Sequence, residues 1–230
     1  ECDEKKVAPP RIFSEGGSWL IWTVNEVEEI YNTTHIVGSA TMTAPHYPKQ
    51  TSELSLPFEL MPCEVKWCYE NNFCTLCAIK ANFDLESVPA SQLPQMFDQQ
   101  IQIDDDSEYE ILTVDPPEVD PLLYQTYCIL KQSGYWIYNG QNYGCDFTIY
   151  QNEPWKCHSY ALVWCEEKFL NTRKLIHHIR ISESTKKNAI AAIQSDDGSV
   201  KLVQFFRYKS KDDKDDEEVV IEDDDDTHFL

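Results

Sequence analysis

Charge is distributed along this chain so that only two stretches are free to fold. The formal net charge over 230 residues is −21, and nearly all of it sits in two segments. Residues 84–120 hold 11 acidic and no basic side chains, and residues 209–230 hold 11 acidic and 3 basic. Like charges repel, and neither segment has much apolar surface to bury, so extension is their physical default. What remains is a stretch up to residue 83 with 11 acidic and 6 basic residues, and a stretch 121–208 with 7 acidic and 10 basic, net +3. The predicted organisation is therefore an N-terminal domain over 12–83, an acidic flexible linker over 84–119, a C-terminal domain over 120–208 and an acidic disordered tail over 209–230. An apolar and aromatic content of 42% suffices for packed cores. No apolar run long enough to cross a membrane is readable, and Glu1 to Arg11, charged and with two prolines, does not read as a signal peptide.

The first stretch reads as a small α+β domain. Ser18 to Trp22 is a short apolar run with strand character, and Val24, Val27 and Ile30-Tyr31 have helical spacing. Pro62 suits the first turn of a helix reaching about Asn71, and Phe73 to Ile79 follows as a strand. Residues 43–55, with Pro45 and Pro48, read as a loop. The nine cysteines are odd in number and follow no secretory signal, which favours a reducing compartment. Cys74 and Cys77 form a CxxC near Cys63 and Cys68, but that outer pair has four intervening residues and Trp67, Tyr69 and Phe73 sit among the cysteines, so buried thiols are the expectation over a zinc site.

The C-terminal domain opens on Asp120, a natural N-cap, and Pro121, a natural first helical residue. Leu122, Leu123, Thr126, Tyr127, Ile129 and Leu130 then give a face of helical period, closed by Gly134. Tyr135–Tyr138, Cys145–Tyr150 and Ser159–Cys165 read as strands, and Asn171 as the cap of a short helix to about Ile179. Ala189–Ile193 and Val200–Phe206 flank Asp197-Gly198, a strong hairpin signal. His177 and His178 are adjacent and cannot share a helix face, so one is expected to pack and the other to face solvent.

Three polar residues stand out. Tyr150 ends one predicted strand, His158 precedes the next, and Lys187 lies just before Ala189–Ile193. Spacing alone leaves them ordinary: a packing tyrosine, a satisfied histidine, a solvated lysine pair. The wider pattern does not. Gly144-Cys145-Asp146-Phe147-Thr148-Ile149-Tyr150, continuing through Pro154 to His158, resembles the G-G-D-F-x-V-Y-x-x-x-P-x-x-x-H segment of tRNA-splicing endonuclease catalytic subunits. Arg180 to Lys187 is similar to their R-x-x-x-S-V-R-K segment. Leu56 to Glu64 resembles the L-P-L-x-L-M-P-E-E segment of the eukaryotic subunit that cuts the 3′ splice site.

The resemblance implies an α+β N-terminal domain followed by an α/β tRNA-intron-endonuclease catalytic domain, a mixed sheet flanked by helices. It implies a metal-independent endoribonuclease without cofactors, leaving a 2′,3′-cyclic phosphate and a 5′-hydroxyl on precursor tRNA. Tyr150 would be the general base toward the 2′-hydroxyl, His158 the acid toward the leaving 5′-oxygen, and Lys187 the cation on the phosphorane. Tyrosine's ordinary pKa near ~10 makes it a poor base at neutral pH, so a depressing neighbour such as Lys187 is expected. Arg180 and Lys186 would contact RNA, Arg180 by stacking on a bulged base. Where the family has a C-terminal tryptophan, this chain has Phe205-Phe206-Arg207.

A domain of net +3 cannot grip a whole tRNA by itself. The family's assembly of two catalytic and two structural subunits answers this, with strand pairing through Val200–Phe206. A nuclear setting, or the mitochondrial outer surface, is implied in the same way. Two other readings stay open: a non-catalytic structural subunit of the same complex, and an acidic binding or chaperone protein suggested by the Asp-rich tail.

Overall fold

The computed structural model describes residues 8–40, 56–81, 109–166 and 171–207. Two mixed sheets, each with helices against it, make up the fold. The first has strand order β3-β4-β2-β1-β5-β6, with β1 Arg11–Glu15, β2 Ser18–Ile21, β3 Ser39–Ala40, β4 Phe58–Leu60, β5 Thr75–Ala81 and β6 Tyr109–Thr113. Within it β1 and β5 run parallel and the other pairs antiparallel. Helix α1, Val24–Thr34, starts at Thr23, whose hydroxyl accepts from Glu26 N–H, and the Glu26 carboxylate in turn accepts from Arg11 of β1 at 2.8 Å. Val27 and Ile30 of α1 join Ile12, Ile21, Leu60 and Leu76 in one core. Each such fully buried aliphatic side chain stabilises the fold by roughly 2 kcal/mol.

Helix α2, Pro62–Glu70, and helix α3, Pro121–Gln132, join the two halves. Cys63 of α2 is buried with Tyr127 and Leu130 of α3, and the Tyr124 hydroxyl donates to Glu70 at 2.5 Å. Asp120 caps α3 as expected, its carboxylate accepting from Leu123 N–H at 2.9 Å.

The second sheet has order β11-β10-β9-β8-β7, with β7 Trp136–Asn139, β8 Phe147–Tyr150, β9 Ala161–Glu166, β10 Asn188–Gln194 and β11 Val200–Phe205. Only β9 and β10 are parallel, joined by helix α4, Thr172–Thr185; the other pairs are antiparallel. Period-two alternation divides its side chains. Phe147, Ile149, Ala161, Val163, Ile190 and Ala192 pack toward Tyr127 and Leu130 of α3. Leu162, Trp164 and Ala189 pack with Ile181 of α4 and with Tyr143.

Three sequence expectations are corrected. Residues 109–113, assigned to the acidic linker, form edge strand β6, because backbone pairing with β5 needs no apolar side chain on every residue. Helix α4 does not stop at Ile179 but continues to Thr185, where Lys186 closes it in the left-handed region at φ 55°. The N-terminal sheet also begins earlier than expected, with β1 at Arg11. The tail 209–230, the expected loop over 43–55 and the linker up to 108 lie outside the described residues. The thiols of Cys63, Cys68, Cys74 and Cys77 are buried in three different apolar clusters, which is a packing arrangement.

Candidate active site

Sheet register brings the ends of three strands together. Ile149 of β8 lies opposite Ala161 of β9, which lies beside Asn188 of β10. The row extends outward one step: Tyr160 N–H donates to Ile149 O at 2.8 Å, and Asn188 N–H donates to Tyr160 O at 3.1 Å. Tyr150 and Lys187 therefore sit at the same end of the sheet, two strand spacings of ~4.8 Å apart. His158 lies in the β8–β9 loop, two residues before Tyr160, and is exposed. The helix end directs Lys187 into this row, since its N–H donates to Ser182 O at 2.9 Å.

A residue that sequence reasoning passed over lies beside one of the three, Lys187. Tyr143 ends a short 3-10 turn, Gln141–Tyr143, on the α4 side of the sheet. The Lys187 ammonium is 5.4 Å from its ring centroid and donates to Thr185 O at 3.4 Å. The Tyr143 phenol also acts electrostatically on the Tyr150 phenol, to which the Ser159 side chain hydrogen-bonds. The only sequence signal for Tyr143 was an aromatic residue between Gly140 and Gly144.

This turn is held from behind. A Cβ on Gly140 would meet Cys145 Sγ at 2.4 Å and Cys145 O at 2.6 Å, so only glycine allows the approach. Trp164 Nε1–H donates to Gly144 O at 2.8 Å, and Cys165 N–H donates to the Asp146 carboxylate at 2.7 Å. The Gly-Cys-Asp-Phe segment thus fixes backbone position and leaves the chemistry to its neighbours.

Electrostatics correct one expectation. The Tyr150 phenol is pushed up to about 12, first by burial and then by the phenols of Tyr143 and Tyr138, while its hydrogen bond with Ser159 pulls the other way. Lys187 was expected to lower it; its ammonium lies against the Tyr143 ring instead, and the burial penalty on a phenolate prevails.

The remaining sequence candidates are dispersed. Arg180 is exposed within α4 rather than at its end, and Lys186 is exposed at the helix cap. Arg207 pairs with Glu183 at 3.9 Å, and Phe206 is 79% exposed. Of the two histidines, His178 is buried and stacked on Trp164 at 4.2 Å beside Glu166, and His177 is exposed, as expected. Among the described residues no His, Cys, Asp or Glu side chains cluster as metal ligands would.

Comparison with known proteins places both halves. Residues 10–78 match the family model for a TSEN34-like, N-terminal domain, and residues 121–202 match that for the tRNA intron endonuclease, catalytic C-terminal domain. The chain is 32% identical over 106 residues to a tRNA-splicing endonuclease of Sulfolobus acidocaldarius, covering 45% of this chain and 58% of that protein. It is 30% identical over 87 residues to a tRNA-splicing endonuclease of Sulfurisphaera tokodaii, covering 36% and 48%. The chain thus spans about half the length of the curated relatives it matches. The two models fall in this order and together occupy about two thirds of the sequence, so the chain is similar to a TSEN34-like N-terminal domain followed by a tRNA intron endonuclease catalytic domain.

Proposed function

We propose that this chain is the endonuclease subunit that cuts intron-containing precursor tRNA at the 3′ splice site, with Tyr150, His158 and Lys187 acting on one phosphodiester. The observation that carries it is the meeting of β8, the β8–β9 loop and β10 at one sheet end, with the Lys187 ammonium over the Tyr143 ring. The 3′ assignment rests on Leu56–Glu64, which resembles the 3′-site-cutting subunit and falls within the TSEN34-like match.

In this reading the 2′-hydroxyl attacks the adjacent phosphorus, forming the P–O2′ bond while the P–O5′ bond breaks. Its proton goes to Tyr150, and the leaving 5′-oxygen takes one from His158. The products are a 2′,3′-cyclic phosphate and a 5′-hydroxyl. Lys187 offsets the charge on the pentavalent intermediate, worth a few kcal/mol by analogy with about 3 kcal/mol for an oxyanion donor. Each proton-transfer group contributes roughly 10²–10⁴-fold. Side chains fill all three roles, so the reading calls for no metal ion.

Arg180 and Lys186, both exposed on or next to α4, are the proposed RNA contacts. The outer edge of β11, with Val203 38% exposed and Phe206 beyond it, suits pairing with another subunit's strand. Such an assembly, in the nucleus, would supply the positive surface that net +3 lacks. The test is 3′-site cutting by the reconstituted complex with His158→Ala. A loss of 10²-fold or more supports the reading; unchanged cutting refutes His158 as its acid.

A further inference from the structure

The β8–β9 loop, residues 151–160, carries His158 and is tied internally by short-range contacts around Glu153: Lys156 N–H donates to Glu153 O at 2.8 Å, the Lys156 ammonium pairs with the Glu153 carboxylate, and Cys157 Sγ donates to Asn152 O and Glu153 O. From its own domain, Trp136 of β7 meets Trp155 edge-on at 6.2 Å and Tyr135 stacks on Tyr160; from the other domain, the last turn of α1 packs against it. Tyr31 and His35 are four residues apart and so share a helix face. The Tyr31 ring packs at 5.5 Å against Trp155 of the loop and at 5.5 Å against Trp136 of β7. Its hydroxyl donates to the Glu153 carboxylate at 3.5 Å. Burial, then the Glu153 charge, push that phenol up to about 12, so it stays a donor through the neutral range.

His35 completes the contact. It terminates α1 in the left-handed region at φ 56°, its N–H donating to Tyr31 O at 2.8 Å. That geometry is unfavourable for a non-glycine residue, and here it lays the imidazole flat on Trp136, 4.8 Å between centroids and 11° between planes. Trp136 is the residue directly opposite Tyr150 in the β7–β8 register. One end of one N-terminal helix therefore grips both the strand beside Tyr150 and the loop that bears His158.

We propose that Tyr31 and His35 are positioning residues: the N-terminal domain acts as a clamp that holds the His158 loop in register with Tyr150 and Lys187. This rests on the catalytic reading given above. A loop released from the clamp samples many positions, and small displacements of a reacting group cost up to about 10²-fold in rate. Aromatic ring contact, rather than the long Tyr31–Glu153 hydrogen bond, should carry most of the effect.

The experiment uses the full chain with Tyr31→Ala and Tyr31→Phe. Backbone hydrogen exchange over residues 151–160 is followed in parallel with single-turnover cutting and RNA binding by the reconstituted complex. Tyr31→Ala should raise exchange in 151–160 about 10-fold or more without a matching change in β9 and β10, and should lower the cutting rate about 10- to 100-fold with RNA affinity unchanged. Tyr31→Phe, which keeps the ring, should restore both to within about threefold. Unaltered exchange in Tyr31→Ala overturns the clamp, as does a cutting loss that lies wholly in RNA affinity or is not rescued by phenylalanine. A wild-type complex that cuts no precursor tRNA refutes the catalytic reading instead, and the exchange result still decides the clamp.

Discussion

The Tyr150 phenol, raised to about 12 by burial and by the neighbouring phenols of Tyr143 and Tyr138, makes a quantitative demand on the reaction. If it takes the 2′-hydroxyl proton as phenolate, only about one molecule in 10⁵ is competent at pH 7 and about one in 10³ at pH 9, from the definition of a pKa. The cleanest perturbation is His158→Ala, which removes the proposed acid and leaves the base to set the slope. Single-turnover cutting of end-labelled precursor tRNA by the reconstituted complex, scored at the 3′ site, should then rise tenfold per pH unit, about 100-fold between pH 7 and 9. Hydroxide in solution gives the same slope, so absolute rate must separate the two. Adding Tyr150→Phe should drop the rate roughly 10²–10⁴-fold at every pH in this window. A flat profile in His158→Ala, or an equal rate with and without the Tyr150 hydroxyl, refutes the assignment of Tyr150 as base.

Two further outcomes test the scaffold. Gly140→Ala should destabilise the chain by about 1–3 kcal/mol through overpacking against Cys145, measured by urea unfolding, and should slow cutting because the Tyr143 turn shifts with it. Glu64 is 1% exposed, and burial raises its carboxyl to about 7 despite the Met61 N–H and the Lys131 charge. An acid raised on folding favours the fold while protonated, and that advantage is lost as pH climbs from the ordinary ~4.3 toward about 7. Glu64→Gln should therefore unfold later than wild type at pH 8, by up to about 3 kcal/mol, and differ little at pH 4; an equal gap at both pH values contradicts the account.

Signals confined to a few neighbouring residues were legible in the sequence. Asp120-Pro121 and Asn171 mark helix starts, and both side chains accept the N–H three residues on. Asp197-Gly198 marks the β10–β11 turn, with Gly198 at φ 83°. The spacing of Tyr150, His158 and Lys187 was also readable, but only beside a family pattern, because nothing local distinguishes those three from a packing tyrosine, a surface histidine and a solvated lysine.

Tertiary structure decided what depends on distant partners. The parallel pairing of β1 with β5 joins residues more than sixty positions apart, and β6 becomes a strand only because β5 offers a free edge. Tyr143 reaches Lys187 across more than forty residues, and the ionisation of Tyr150 follows from how deeply the assembled sheet buries it. Caps and turns are settled within about four residues by hydrogen bonds the sequence spells out. Strand partnership, burial and the field at a half-buried phenol exist only once separate segments have met, so no local pattern encodes them by itself.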